Sequence, residues 1–156
     1  MSTKDKKNLL DKLTEAHLAT LVVLEKTNLE MPIYEDSGWR VRDILGHIAT
    51  WNQQTAISIN AYRAGEEYLI PDLDEEEADF NGRAVEEQKK LSSQQLLSEW
   101  EEAYNELKKA VQDMPADRFP GDMLYPWGDE RGSIVDLVEY MIEHCDEHRD
   151  EIIKAL

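Results

Sequence analysis

Two histidines four residues apart carry the strongest chemical signal in this sequence. His144 and His148 would project from one face of a helix, about one turn apart. Their ring nitrogens could then approach one divalent ion at about 2.0–2.1 Å, the usual zinc–nitrogen distance. Without a shared partner, each buried ring nitrogen left unpaired would cost about 1–3 kcal/mol. Periodicity alone leaves two interpretations open, a metal site and a pair of neutral core histidines.

A third ligand would have to come from another segment. His47 follows Ile44 by three residues and precedes Trp51 by four, so it points inward or half inward on its own helix. His17 lies on the apolar face of the first helical segment. A lone inward histidine is usually a neutral core residue with one hydrogen-bond partner, and we expect that role for His17.

Other polar residues near the histidine pair favour structural roles. The segment His144–His148 fits the H-x-x-E-H protease signature, but those enzymes take a further acidic ligand from well downstream, and only eight residues follow His148. Cys145 is one step away from the His144 direction, which favours a packing thiol over a nucleophile. Three acidic residues are expected on a solvated face, unless one orients a ligand histidine; they are Glu143, Asp146 and Glu147.

Four aromatic residues could line a pocket near the histidines. Core packing is the more common role for such aromatic residues. Of the four, Trp127 is the strongest candidate for lining a pocket that binds a substrate or cofactor, and it lies in a loop punctuated by proline and glycine. The four are Trp39, Trp51, Tyr125 and Trp127.

The hydrophobic periodicity predicts four helices. A long acidic connection, Glu66 to Asp79 with Ile70-Pro71-Asp72 inside it, lets the chain cross over, so two neighbouring helices should be parallel. Ser133 and Asp136 predict a capped start for the last helix. The predicted helices run from about Lys6 to Asn28, from Trp39 or Arg40 to near Gly65, from about Phe80 to Met114 with a bend at Leu91–Ser93, and from Ser133 onward.

Length and charge exclude several classes of protein. We expect residues 1–156 to form a single domain, and the single cysteine excludes an internal disulfide framework. The longest largely apolar stretch is too short to span a bilayer, and no signal peptide is visible, so we expect a cytoplasmic protein. The net charge of -17 disfavours binding to nucleic acid and to anionic membranes. Small molecules or a second copy of the chain are the expected partners.

Three segments resemble the DinB/YfiT-like superfamily of metal-dependent enzymes. Residues 39–51, WRVRDILGHIATW, are similar to its W-[ST]-V-x-D-[LIV]-[LI]-x-H-[LI] helix start. Asp79-Phe80-Asn81 is similar to the opening of its third helix, and residues 132–152 are similar to its closing helix. One departure is Arg40, where the family usually has a capping Ser or Thr. The cap is then expected to move back to Ser37, or the first turn to fray.

The resemblance implies an all-α, four-helix bundle with up-up-down-down topology that forms homodimers. It also implies a three-histidine divalent metal site, which maps onto His47, His144 and His148. An ion held by three imidazoles keeps open positions, as catalytic sites do. Zinc is the default, and nickel and iron also suit imidazole ligands.

The expected function is a metal-dependent transferase or hydrolase acting on a small electrophile. Such an ion can activate water for hydrolysis, or it can hold a low-molecular-weight thiol as thiolate for transfer. The sequence identifies neither a general base nor a thiol-recognition site, so the catalytic groups beyond the ion stay open. A non-catalytic stress protein that binds or sequesters small molecules is the alternative.

Overall fold

Helices make up most of the described chain. The structure is a computed structural model that describes residues 3–71, 73 and 77–156. Asp72 of the predicted acidic connection and the side chain of Asp79 lie outside the described part. The helices are α1 (Thr3–Leu24), α2 (Val41–Arg63), α3 (Glu77–Gln88), α4 (Ser93–Asp113) and α5 (Ile134–Ala155), and a short hairpin pairs β1 (Met123–Leu124) with β2 (Arg131–Gly132).

The second and third helices of the bundle, α2 and α4, run parallel. The Arg42 guanidinium donates to the Ser93 hydroxyl near the start of both helices, at 3.3 Å. Near their ends, Arg63 pairs with Asp113 at 3.4 Å. The long connection between them, which contains α3, returns the chain to the same end of the bundle. The parallel pair predicted from that connection is therefore present.

The first helix runs opposite to this pair. The Lys6 ammonium, near the start of α1, donates to the carbonyl of Gln112 near the end of α4. Further along, the Tyr104 hydroxyl donates to Thr14 at 3.2 Å. Since residue numbers rise on one helix as they fall on the other, α1 and α4 are antiparallel.

The last helix runs parallel to the first. Lys12 of α1 faces Glu139 of α5, and Thr20 contacts Cys145 further along both helices. The all-α four-helix bundle expected from the sequence is confirmed. Its helices run up, down, down, up, which differs from the expected up-up-down-down order. The physical reason is the connection formed by residues 25–40, which reverses the chain before α2 begins.

Two clusters of buried apolar side chains hold the bundle together. Each large side chain fully buried there contributes about 1.5–3 kcal/mol relative to its exposed state. Among the described residues, no helix is long and apolar enough to cross a membrane. The cluster nearer the start of α2 consists of Val41, Ile44, Leu45, Ile48, Ala49, Trp100, Ala103 and Ile152.

The predicted third helix is two helices. Ser92 caps α4, because its hydroxyl accepts the Gln95 N–H at 3.1 Å while the Gln95 side chain accepts the Ser92 N–H at 2.8 Å. This reciprocal capping box starts a new helix where a bend was expected. A continuous helix over residues 80–114 is therefore wrong, although the position of the bend is confirmed.

The N-terminus of α2 lacks a Ser or Thr cap and is held by a different hydrogen bond. Arg40 occupies the cap position, and the Asp43 carboxylate accepts its backbone N–H at 2.9 Å. Ser37 does not move into the cap role, since its hydroxyl accepts from Trp39 instead. The carboxylate near this N-terminus also complements the helix dipole. The first turn, and with it the path to His47, is thus held by Asp43.

Candidate metal centre

Two antiparallel helices bring three histidines together. His47 projects from the second turn of α2 and is buried, with 7% of its surface exposed. His144 and His148 project from consecutive turns of α5 and are half-buried. His47 was predicted to point inward or half inward and the other two inward, and the structure brings the three rings together with centroids 4.6–5.1 Å apart.

The ring nitrogens of these histidines converge on one point. The Nε2 of His144 lies 2.8 Å from that of His47 and 3.1 Å from that of His148. One ligand atom from each residue falls within a group whose members are all within 4.8 Å of one another. Nitrogens held about 2.0–2.1 Å from one ion stand roughly 2.9–3.4 Å apart. The donor set and its spacing therefore fit a divalent ion.

The environment keeps these imidazoles neutral. Burial, followed by the neighbouring histidines, lowers the pKa of His47 to about 3. Burial and His148 lower the pKa of His144 to about 4. Burial also lowers the pKa of His148, against the opposing effect of Glu151 and Glu147. Neutral imidazoles are the form that binds metal ions.

Hydrogen bonds among three neutral rings cannot satisfy this arrangement. The Nε2 of His144 faces two other Nε2 atoms, and a neutral ring nitrogen is either a donor of one proton or an acceptor with one lone pair. His144 Nε2 can therefore form a good hydrogen bond with only one of its two neighbours, His47 or His148. A single cation can accept all three lone pairs.

Tyr34 and Glu151 orient His148 from outside the cluster. The His148 Nδ1 lies 3.1 Å from a carboxylate oxygen of Glu151 and 2.9 Å from the Tyr34 hydroxyl. A proton on Nδ1, donated to Glu151, leaves the lone pair on Nε2, facing the other histidines. Burial, followed by the hydrogen bond to Glu151, raises the pKa of Tyr34, so its hydroxyl stays protonated.

These two contacts were not predicted from the sequence. Glu143, Asp146 and Glu147 were expected on a solvated face, with an orienting role for one of them as the alternative, and the carboxylate beside His148 Nδ1 is Glu151. Asp146 pairs with Arg149 at 2.8 Å instead. The three-residue step from His148 to Glu151 was a usable signal, because residues three apart are neighbours on a helix.

A cavity of about 270 Å³ opens beside His47 and His144. Two of the four aromatic residues proposed as a pocket wall, Trp51 and Trp127, line it. Tyr125 is fully buried in the core. Trp39 lines a different concavity, although its ring lies 5.3 Å from that of His47. The cavity is lined by His47, Trp51, Asn81, Trp127, Tyr140, Met141 and His144.

Cys145 stands apart from this cavity. Its sulfur lies 3.3 Å from the Thr20 hydroxyl, on the side of α5 that faces α1. Burial raises the pKa of its thiol, which keeps it protonated and a poor nucleophile. These observations support the structural interpretation of Cys145.

Comparison with known proteins gives a family for residues 10–126, which include His47 and end before α5. The sequence profile described as the mycothiol maleylpyruvate isomerase N-terminal domain matches residues 10–126. Among curated proteins, no sequence is similar enough to count as a match.

Solved structures share the fold at low sequence identity. YfiT from Bacillus subtilis, called "a probable metal-dependent hydrolase with an unusual four-helix bundle topology", is 18% identical, with 99% of this chain and 87% of that one covered and a TM-score of 0.74. An uncharacterised Escherichia coli UTI89 protein is 16% identical, with 96% and 91% covered and a TM-score of 0.76.

A mycothiol-dependent maleylpyruvate isomerase shares the fold over part of its length. It is 18% identical, with a TM-score of 0.72, and 97% of this chain aligns with 63% of that one. The chain thus spans less than two thirds of that enzyme.

Proposed function

The chain belongs to the mycothiol maleylpyruvate isomerase N-terminal domain family of the DinB/YfiT-like superfamily, and from this premise we propose that it is a metal-dependent enzyme. The proposed site is the cluster of His47, His144 and His148. The proposed reaction is thiol-dependent transfer to a small electrophile, or hydrolysis of one. Two structural neighbours support this choice, since YfiT is described as a probable metal-dependent hydrolase and the other is a mycothiol-dependent isomerase.

The observation that carries this proposal is the convergence of three Nε2 atoms beside a cavity. Structural zinc sites usually have four protein ligands, whereas three protein ligands leave a position for water or substrate. His47 and His144 both contribute to the cavity wall, so a ligand in the cavity would reach the cluster directly. An arrangement of this kind supports a reactive site over a structural one.

The side chains around the cluster have separable roles in this proposal. The bound ion would supply a Lewis acid that lowers the pKa of a thiol or water beside it. His47, His144 and His148 hold the ion, and Glu151 holds the proton on Nδ1 of His148. Trp51 and Trp127 would hold the body of the substrate and exclude water, which includes the binding role predicted for Trp127.

Metal content tests the proposal. Protein purified without a histidine tag should contain about one divalent ion per chain, zinc in the simplest case, and His144→Ala should lose it. With metal, the parent should turn over members of a panel of thiols and electrophiles, and the variant should not. A parent that binds no divalent ion under any loading condition would overturn the proposal.

A binding or sequestering role is the second candidate, favoured by the aromatic cavity itself. Sequestration predicts saturable ligand binding that survives chelation and yields no product. Catalysis predicts product that disappears on chelation. The expected homodimer stays a prediction, which sedimentation velocity on the purified protein checks.

A further inference from the structure

The aromatic side of the cavity presents ring faces and few free polar groups. The Trp51 indole N–H donates to the Asn81 carbonyl oxygen at 2.8 Å. The Trp127 indole N–H donates to Glu130 at 3.1 Å, and the Tyr140 hydroxyl donates to the other oxygen of the same carboxylate at 3.1 Å. All three aromatic donors are therefore already used within the protein.

Among the aromatic and amide residues of the cavity wall, the Asn81 amide is then the one side-chain group that can donate a hydrogen bond to a ligand. Because Asn81 turns its oxygen toward Trp51, its amide nitrogen faces away from that indole, and no described residue accepts from it. Met141 completes the wall with an apolar thioether. A ligand body in this cavity would meet π-faces, a methionine and a single amide.

Among the described side chains that line the cavity or lie directly behind it, none is an ammonium or a guanidinium, and Glu130 is negatively charged. No lysine or arginine is among the cavity-lining residues in the described part of the chain. Glu130 lies directly behind Trp127 and Tyr140, and the whole chain carries a net charge of -17. Nothing among these groups would compensate a carboxylate away from the histidine cluster.

We propose that this site selects electrophiles or thiols with one metal-binding group and an uncharged apolar body of about the size of one or two aromatic rings, and that it rejects a second carboxylate. The inference rests on the proposed metal site. Size follows from the volume, because a cavity of about 150 Å³ holds benzene and this one measures about 270 Å³. Selectivity follows from charge, since a carboxylate held beside Glu130 meets a like charge and no basic residue among the described residues that line the cavity.

Three hydroxamates with the same metal-binding group test this preference on the zinc-loaded full chain by calorimetry. Benzohydroxamic acid should bind at least about tenfold more tightly than acetohydroxamic acid, since burying the ring against Trp51 and Trp127 is favourable. 4-Carboxybenzohydroxamic acid should lose at least that gain. Equal affinities for the three probes, or tightest binding of the carboxylated one, would overturn the inference.

Two variants separate the ring contact from the charge. Trp127→Ala should remove the advantage of the benzene ring and leave the metal content unchanged. Glu130→Gln removes the negative charge and keeps one oxygen that can accept from Trp127, while its amide group can donate to the Tyr140 hydroxyl. It should therefore strengthen binding of the carboxylated probe several-fold. No change for that probe in Glu130→Gln would contradict the proposed role of charge.

The same samples distinguish failure of this inference from failure of the proposed function. If zinc binds and the probes do not discriminate, the selectivity is wrong while the metal site stands. If zinc does not bind to the parent at all, the proposed function fails and this inference fails with it.

Discussion

Two buried histidine environments lie within the same bundle and have opposite character. The His17 ring is stacked between Trp100 and Tyr104, with centroids 4.3 and 3.7 Å away, and its Nε2 lies 3.0 Å from Glu101. The histidines of the candidate metal centre face one another instead. His144 Nε2 lies 2.8 Å from His47 Nε2, with no carboxylate between them.

The difference shows that burial of a histidine does not by itself indicate a site. His17 has an anionic partner and two ring faces against it, so it is satisfied as part of the core. Burial, followed by the neighbouring histidines, lowers the pKa of His47 and His144, and the three converging Nε2 atoms have no carboxylate partner in the described part of the chain. Whether the ring nitrogens already have partners inside the protein is what separates a core histidine from a candidate ligand.

The largest effect expected from this difference is the response to zinc. Zinc at 100 times its dissociation constant should raise the free energy of unfolding of the parent by about 2.7 kcal/mol, because only the folded state assembles the three ligands. His144→Ala should lose that response. Thermal or urea unfolding with zinc and with chelator measures it.

His17→Ala is the matched control for this prediction, since it removes a buried histidine outside the cluster. It should respond to zinc as the parent does. A zinc response that persists in His144→Ala, or that disappears in His17→Ala, would break the distinction between the two regions.

The next largest effect is the loss of packing at His17. His17→Ala removes the ring between Trp100 and Tyr104, and the resulting cavity should lower the free energy of unfolding of the metal-free protein by about 2 kcal/mol. Urea denaturation in the presence of chelator measures this loss. A variant as stable as the parent would show that the stacked ring contributes nothing to the core.

The contact of Glu151 with His148 predicts a smaller effect on metal affinity. Glu151→Gln removes the negative charge that orients the His148 ring, so zinc should bind about tenfold more weakly. Competition with a chromophoric chelator measures the dissociation constant. Asp150→Asn, an exposed neighbour on the same helix, is the matched control and should bind zinc as the parent does. An equal loss of zinc affinity in both variants would show that the net negative charge matters, and that orientation of the His148 ring by Glu151 does not.

The smallest effect concerns acid sensitivity at His17. Burial lowers the pKa of His17 in the folded state, so the unfolded chain takes up a proton near its ordinary pKa of about 6.5 while the folded chain resists. The free energy of unfolding should therefore fall as pH drops below that value. His17→Phe should make the free energy of unfolding depend less steeply on pH in this range. The reduction can be at most about 1.4 kcal/mol per pH unit for one titrating group, and urea unfolding without metal measures it. An unchanged slope would contradict it.

Sequence periodicity predicts the α5 part of the candidate metal centre, but not the position of His47 relative to α5. The four-residue step between His144 and His148 defines one face of α5, so their proximity is a local property. His47 is different, since its approach to α5 depends on how two distant helices pack. His47 was predicted as a ligand from its position on the inward or half-inward face of its helix together with the family resemblance.

The parts missed by sequence reasoning depend on loops and long-range packing. Tyr34 lies in the connection between α1 and α2, where no periodicity places a side chain, and it reaches His148 across 114 positions of sequence. The direction of α1 depends on the same connection. By contrast, the break before α4 had a local signal, because Ser92 and Gln95 have the spacing of a capping box.

X-ray absorption at the zinc edge of the loaded protein tests the shared coordination most directly. The three-histidine centre predicts about three nitrogen neighbours at about 2.0–2.1 Å, with the outer-shell scattering of imidazole rings, and the loss of one ring in His47→Ala. A spectrum with only oxygen neighbours, or one that is unchanged in His47→Ala, would contradict coordination of a single ion by α2 and α5 together.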